Sequence, residues 1–444
     1  MKKTLVALAA MTAMCGASAT SVTLYGVVDT GFAYNSVNTD DFAGLKGQGG
    51  DSFSMESGQR SGSRFGMKGV EDLGNGLQVG FVLENGFSTD TGADGGNAFF
   101  DRESSLYLEG SFGKFGMGRL STFANDSGST GIGGYFSSFG TGWGDVGVQN
   151  YMQAYRPTRM DNVVYYKSPN FAGAEVWVMY GMGSNGSENE SGSDRYYAAA
   201  VTYNNGGLSL YGAVDVLNKQ TWDNEANSST KGHGEDQITI TAAVNYDCGY
   251  AKSYLGVHWF DNAKAVGASS TESSWLRMMS DDNFRYGDAT GWSVMAGVDV
   301  PVGGGLVKTS LGYLDASSDA YNHASNREVD KDFSRFMAAA GYEYYLSKRT
   351  TLYAGAGKAP QNAAHQGNQH SPGRVVLFLH GSCFSSVAKA VQKGRPMFAD
   401  LRCRHSITGR RFGGNPLPLP QCRMQNFSCR QNSERFCLCR SYYR

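Results

Sequence analysis

Between Ser63 and Glu84 the side chains change character at every second residue through a whole hairpin. Phe65 and Met67 fall on one face, and Arg64, Gly66 and Lys68 on the other. After a turn at Val70–Gly76, Leu77, Val79, Phe81 and Leu83 alternate with Gln78, Gly80, Val82 and Glu84. A period of two is the periodicity of a β-strand, with successive side chains on opposite faces. An unbroken apolar stripe backed by Arg, Lys, Gln and Glu suits a strand with hydrocarbon on one side and water on the other. Weaker versions of the pattern recur near 21–34, 99–110, 113–120, 160–168, 173–183, 194–205, 206–217, 236–247, 249–260, 291–300, 305–315, 333–346 and 350–358. That predicts about fifteen strands. The connections alternate between short turns (Ser168-Pro169-Asn170, Pro301-Val302-Gly303-Gly304) and long polar stretches (35–58, 121–158, 218–235, 261–289, 317–331). Beyond the N-terminal segment no stretch is long and apolar enough for a membrane helix, so a membrane-spanning chain of this kind must use strands. The fold class expected is all-β: an antiparallel transmembrane barrel.

Composition agrees. Glycine is abundant at 60 residues, proline scarce at 9, and aromatics reach 12%. Tyr165, Tyr166, Trp177, Tyr180, Tyr196, Tyr197, Trp259, Tyr344 and Tyr345 lie near strand ends, where interfacial girdles are expected. A formal net charge of -1 gives no sign of a nucleic-acid partner. Lys2 and Lys3, the apolar run from Leu5 to about Met14, and Ala17-Ser18-Ala19 read as an export signal, residues 1–19, removed before Thr20. The barrel is expected over residues 20–358.

Composition breaks near Ala359. Residues 359–444 hold 13 Lys or Arg against the two acids Asp400 and Glu434, a formal +11, which leaves -12 for residues 1–358. Six of the eight cysteines and six of the nine prolines lie there. A shifted reading frame explains best why Cys, Arg, His and Pro rise together. A basic extension and a small zinc site at Cys403, His405, Cys437 and Cys439 are the alternatives, the last with one-residue spacings that are poor for zinc.

The chain resembles the Gram-negative general porins, the trimeric sixteen-stranded kind. Ser21-Val22-Thr23-Leu24-Tyr25-Gly26-Val27-Val28-Asp29 is similar to that family's first strand. Ser63-Arg64-Phe65-Gly66-Met67-Lys68-Gly69 with Glu71-Asp72-Leu73-Gly74-Asn75-Gly76-Leu77 resembles its second hairpin closely. Phe112–Arg119, Arg159–Tyr166 with Ser168–Gly173, and Tyr342–Tyr353 are similar to later strands. The family closes its barrel with a last strand ending in Phe. This chain ends Ser441-Tyr442-Tyr443-Arg444, with no alternating strand before it.

The resemblance implies a passive diffusion pore for small hydrophilic solutes and ions in the outer membrane, a homotrimer in lipid. A non-conducting barrel serving as an adhesin or surface structural protein is the alternative. It also implies that the third long loop, Leu120–Thr158, folds into the lumen, with Asp126 and Asp145 on the acidic side of a constriction. Arg64, Lys68, Arg119 and Arg159 are the candidates for the basic side. Alternation places Arg64 and Lys68 on the lumen face, Lys68 closer to the turn. Arg119 shares its parity with Phe115 and Met117, so a bulge must reorient it, and its candidacy rests on the resemblance. Arg102 and Arg156 are weaker candidates. No enzyme, cofactor or metal is expected. Gly355-Ala356-Gly357-Lys358 is followed by Ala359 where a phosphate loop needs Ser or Thr. Only His233, His258 and His323 precede the basic stretch, with no catalytic motif beside them.

Overall fold

The computed structural model describes residues 21–37, 50–96, 98–135, 137–183, 195–218, 235–263, 266, 284–322, 327–358 and 373–381. The expected export signal and residues 382–444, with the candidate zinc residues, lie outside them. The chain divides into two units, Met1–Arg395 and Pro396–Arg444, the second wholly outside the described residues.

The first unit is a single antiparallel sheet. Its strands are β1 (Ser21–Val37), β2 (Gly50–Ser57), β3 (Arg64–Gly74), β4 (Leu77–Gly86), β5 (Glu103–Gly110), β6 (Gly113–Ser121), β7 (Arg159–Lys167), β8 (Ala174–Gly181) and β9 (Arg195–Asn205). They continue with β10 (Leu208–Asn218), β11 (Gln237–Asp247), β12 (Lys252–Ala263), β13 (Phe284–Val302), β14 (Gly305–Asn322), β15 (Arg327–Ser347), β16 (Thr350–Lys358) and β17 (Gly373–Gly381). Each strand from β3 to β17 pairs with the next. β1 pairs with β3 along Ser21–Val27 and with β2 along Thr30–Val37, so β2 and β3 are two halves of one strand position. Sixteen positions result. Among the described residues no helix is long and apolar enough to cross a membrane.

Most strands fall within a few residues of the sequence-based ranges, and three observations go beyond them. β2 lies in a stretch read as a polar connection, because its only large apolar residues are Phe53 and Met55. β13, β14 and β15 run to 19, 18 and 21 residues, about twice the 9–11 needed to span a bilayer, and their excess lies at the end with the long connections. β17 comes from the basic stretch. It pairs with β16 along its length and with β1 from Val28↔Gly381 to Asn35↔Arg374, while Ser21–Val27 pair only with β3 among the described residues. Its centre, Val375-Val376-Leu377-Phe378-Leu379, is a continuous apolar run, so a search for alternation passes over it.

The tight turns follow from backbone chemistry. Asn75 and Gly76 both take positive φ (54° and 76°), the pair of values a two-residue type I′ hairpin demands. The outer face carries the apolar stripe: Leu106, Phe115, Met117, Val176, Val201, Leu210, Ile240, Leu255 and Leu311 are all exposed. The girdle expectation needs correction at Tyr165, Trp177 and Tyr196. They are 3%, 7% and 0% exposed, because their parity turns them inward.

Inside the sheet, the connection between β6 and β7 fills much of the lumen, as expected of the third loop. It contains short 3-10 turns at Gly133–Tyr135 and Gly144–Val146 and one helical turn, α1 (Gln149–Met152). The wall beneath it is built to receive it. A Cβ on Gly355 would come within 2.7 Å of the Trp143 ring, one on Gly341 within 3.1 Å, and one on Gly312 within 2.6 Å of Val148. Trp143 stacks edge-on between Phe139 (5.2 Å) and Tyr353 (4.9 Å). The inward face of this wall is therefore apolar where it meets the loop, with Leu314, Phe333 and Met337 buried.

Candidate functional site

Polar anchors fix the loop at both ends of its path. Arg156 is buried and donates to Asp215 of β10 at 2.6 Å, and Thr239 of β11 donates to the same carboxylate. Burial alone would lower the Arg156 pKa, but the Asp215 carboxylate outweighs it and raises the value above the ordinary one. Backbone groups are satisfied by wall side chains. Gln237 donates to the Tyr155 carbonyl at 2.7 Å, Arg335 to the Tyr151 carbonyl at 2.7 Å, and Ser293 to the Met152 carbonyl. The Ala154 N–H donates to His258 Nε2 at 3.2 Å. Ser138 donates to Asp299, which also receives Tyr254 (3.0 Å) and Lys308 (2.7 Å). Burial pushes the Tyr151 phenol up to about 12, against the Arg335 charge. A loop of this length would otherwise be mobile; here buried hydrogen bonds and aromatic packing hold it in place.

Between the loop and the wall lies a water-accessible cavity of about 820 Å³. Its β3–β7 side presents Arg64, Glu84, Arg102 and Arg159, and its loop side presents Asn125, Asp126, Ser127 and Thr141. Arg102 Nε meets Glu84 at 2.7 Å and Arg64 Nε lies 3.5 Å from the same carboxylate. Tyr25 donates to Glu84 at 2.9 Å. Arg159 reaches Ser127 at 3.2 Å, and its Nε has no hydrogen-bond partner among the described residues. Two guanidiniums thus share one carboxylate, and Arg159 is a third cation in the same lining. Asp126 is exposed across the gap, its carboxylate fixed by the Thr141 N–H at 2.8 Å and by the Thr141 hydroxyl.

Of the six sequence candidates, Arg64, Arg159 and Asp126 line this cavity together. Lys68 and Arg119 do not. Lys68 is exposed, with its ammonium 5.7 Å from the Tyr25 ring. Arg119 sits at the expected bulge, where the β6–β7 register shifts between Gly118 and Leu120. It pairs with Asp161 at 2.6 Å. Asp145 lies in the Gly144–Val146 turn, and its side chain is outside the described residues. Arg102, a weaker candidate, lines the cavity fully. Arg156 touches it and serves chiefly as an anchor. Arg60 and Lys308 also line it, and neither belongs to the motifs that mark the other candidates. Lys308 keeps the inward parity of its strand, and that parity is its signal in the sequence. Arg60 sits outside any strand, so parity says nothing of it.

The profile of the Gram-negative porin family matches residues 4–364. An outer membrane porin protein of Bordetella pertussis is 30% identical, covering 80% of this chain and 93% of that one. Outer membrane porin protein 32 of Delftia acidovorans is 32% identical, covering 80% and 88%. Among solved structures, an anion-selective porin from Comamonas acidovorans matches with a TM-score of 0.57 and 25% identity, over 82% of this chain and 99% of that one. An outer membrane protein of Vibrio cholerae, at a TM-score of 0.53 and 14% identity, shares the fold. With a hollow antiparallel sheet, an apolar outer face and an inserted, anchored third loop, the chain belongs to the Gram-negative porin family: it is an outer-membrane pore for passive diffusion of small hydrophilic solutes.

Proposed function

We propose that the cavity between the third loop and the β3–β7 wall is the constriction of the pore and that it favours anions. The observation that carries this reading is the crowding of cations: Arg64, Arg102 and Arg159 line one side of the cavity, Glu84 is the carboxylate that Arg64 and Arg102 share, and Arg102 repels both neighbours, while the further acids felt are Asp126 by Arg64 and Asp101 by Arg159. A passing anion supplies the missing counter-charge. Asp126 opposite completes a transverse field that orders water and disfavours apolar solutes. Lys68 and Arg119 act only at a distance. The anion-selective Comamonas porin supports the same preference. The test is reversal potential across planar bilayers in a KCl gradient. A potential of the sign set by chloride supports the reading, and one set by potassium sinks it.

The same proposal takes the pore to work without bond chemistry or cofactor and to assemble as a homotrimer in outer-membrane lipid, which cross-linking in native membranes checks. Residues 1–19 serve as a cleaved export signal, to be tested by N-terminal sequencing of the membrane form. Residues 359–444 come from a changed reading frame, and resequencing the gene around codon 359 decides it.

A further inference from the structure

The two halves of the second strand position do not meet. β2 ends at Ser57 opposite Thr30 and β3 begins at Arg64 opposite Val27. Two residues of β1, Val28 and Asp29, face a gap filled by residues 58–63, far more chain than a strand needs. The surplus turns inward, since Gly58, Gln59, Arg60, Ser61 and Gly62 all line the cavity. The turn is firmly held. Asp29, fully buried, takes the Ser61 N–H at 2.9 Å and the Tyr353 hydroxyl at 2.6 Å, and its carbonyl takes the Gly58 N–H at 2.9 Å. The Arg60 N–H donates to the Tyr353 oxygen at 2.9 Å. The turn also abuts the third loop. A Cβ on Gly142 would strike the Arg60 carbonyl, and one on Gly144 would strike Gln59.

Arg60 is the charge that this turn delivers. Its guanidinium grips Glu343 of β15 with two bonds, 2.8 and 3.2 Å, and Tyr345 donates to the same carboxylate at 3.1 Å. The two partners are unequally exposed: the Arg60 side chain is 27% accessible and the Glu343 side chain 4%. Water in the lumen meets the cation, with the anion behind it. A solute passing the cavity therefore meets one more positive charge, held against β15 by a turn whose Ser61 and Gly62 accept from Arg64 of the cluster at 2.9 and 2.8 Å.

We propose that the Gly58–Gly62 turn is a second inserted element of the constriction and that Arg60 is a selectivity-determining residue of the pore, with Glu343 setting how much of its charge the solute meets. The inference rests on the cavity being the conduction path. It does not depend on which ion the unaltered pore prefers, because only the direction of change is read.

The test uses the full chain in planar bilayers, with Arg60→Gln, Arg60→Lys, Glu343→Gln and the Arg60→Gln/Glu343→Gln double variant. Heat-modifiable gel mobility selects folded protein. Arg60→Gln lowers the chloride-to-potassium permeability ratio about sixfold at low salt, since a unit charge about 8 Å away in water changes the Boltzmann factor of each ion about 2.4-fold and in opposite senses. Glu343→Gln raises the ratio, the double variant returns toward the starting value, and Arg60→Lys preserves it. An unchanged ratio in folded Arg60→Gln overturns the proposal. So does an equal shift in Arg60→Lys, since the effect would then be one of shape. A chloride-independent shift of conductance in all four variants has the same meaning. Failure of the constriction reading looks different: charge changes at Arg64 and Arg159 would then also leave the ratio unmoved.

Discussion

The Tyr353 hydroxyl on β16 reaches Asp29 on β1 at 2.6 Å, although β17 lies between those two strands in the sheet. The bond bridges the seam from the lumen side. With Ser61 and Arg60 bound to the same pair, β1, the inserted turn and β16 are fastened together independently of the backbone ladder of β17. Tyr353→Phe removes the one hydroxyl that joins Asp29 to Arg60 and leaves a buried carboxylate short of a donor. The expected cost is about 1–3 kcal/mol. It is measured as an earlier urea midpoint for loss of heat-modifiable mobility in detergent, with single-channel conductance nearly unchanged in the protein that remains folded.

How far the sequence is legible can be argued from this seam. The strands with alternating faces, such as β3 and β4, are readable because one side meets an apolar phase and the other water. Arg64 and Glu84 inherit their lumen placement from that period alone. β17 is not readable, because a continuous apolar run carries no period. Arg60 lies where a strand is interrupted, and no local pattern indicates which way four or so surplus residues turn. The anchors Asp215, His258, Asp299 and Arg335 are legible as inward by parity. Their partners are not, since each belongs to a loop contact more than 100 residues away or to an element whose path depends on the rest of the wall.

Asp215 and Arg156 form an ion pair with side chains only 3% and 2% accessible. Asp215→Ala strands the guanidinium in a buried site and is expected to cost about 3–5 kcal/mol. Because the pair anchors the C-terminal end of the third loop, the surviving channels gain flicker in single-channel records. Asp215→Asn keeps an acceptor for Thr239 and Arg156 and shows a smaller effect on both readouts. Equal effects of the two substitutions would deny the charge its role.

Gly355 lies against the Trp143 ring, and a side chain there has no room. Gly355→Val pushes the indole, and with it the 3-10 turn at Gly144–Val146, toward the open lumen. Single-channel conductance falls while the permeability ratio stays close to its original value, because no charge has moved. Trp143→Ala acts in the opposite sense. It leaves a void beneath the loop, costs about 3–5 kcal/mol, and makes conductance larger and less steady.

Leu311 stands on the outer face of β14, 52% exposed and flanked across the sheet by Ala296 and Ala338. If that face meets hydrocarbon, Leu311→Arg costs about 2–4 kcal/mol near the bilayer centre. The deficit appears in lipid vesicles and shrinks in short-chain detergent, where the charge finds water. A soluble barrel would show no such dependence on the host phase.

Arg119 and Arg159 offer a matched comparison, since both stand where β6 and β7 meet the third loop and both were candidates on resemblance. Arg159 lines the cavity, with its Nε unpartnered among the described residues, whereas Arg119 spends its charge on Asp161 outside that lining. Arg159→Ala therefore lowers the proposed anion preference strongly at 0.1 M salt, where the screening length is about 10 Å. Arg119→Ala has little effect at any salt. Raising the salt to 1 M shortens the screening length to about 3 Å, so the unaltered pore's preference shrinks toward that of Arg159→Ala. A charge lining the path keeps part of its influence because ions pass within a few ångströms of it. The two substitutions would have equal effects only if selectivity arose from the net charge of the mouth, and that result would remove the cavity from its proposed role.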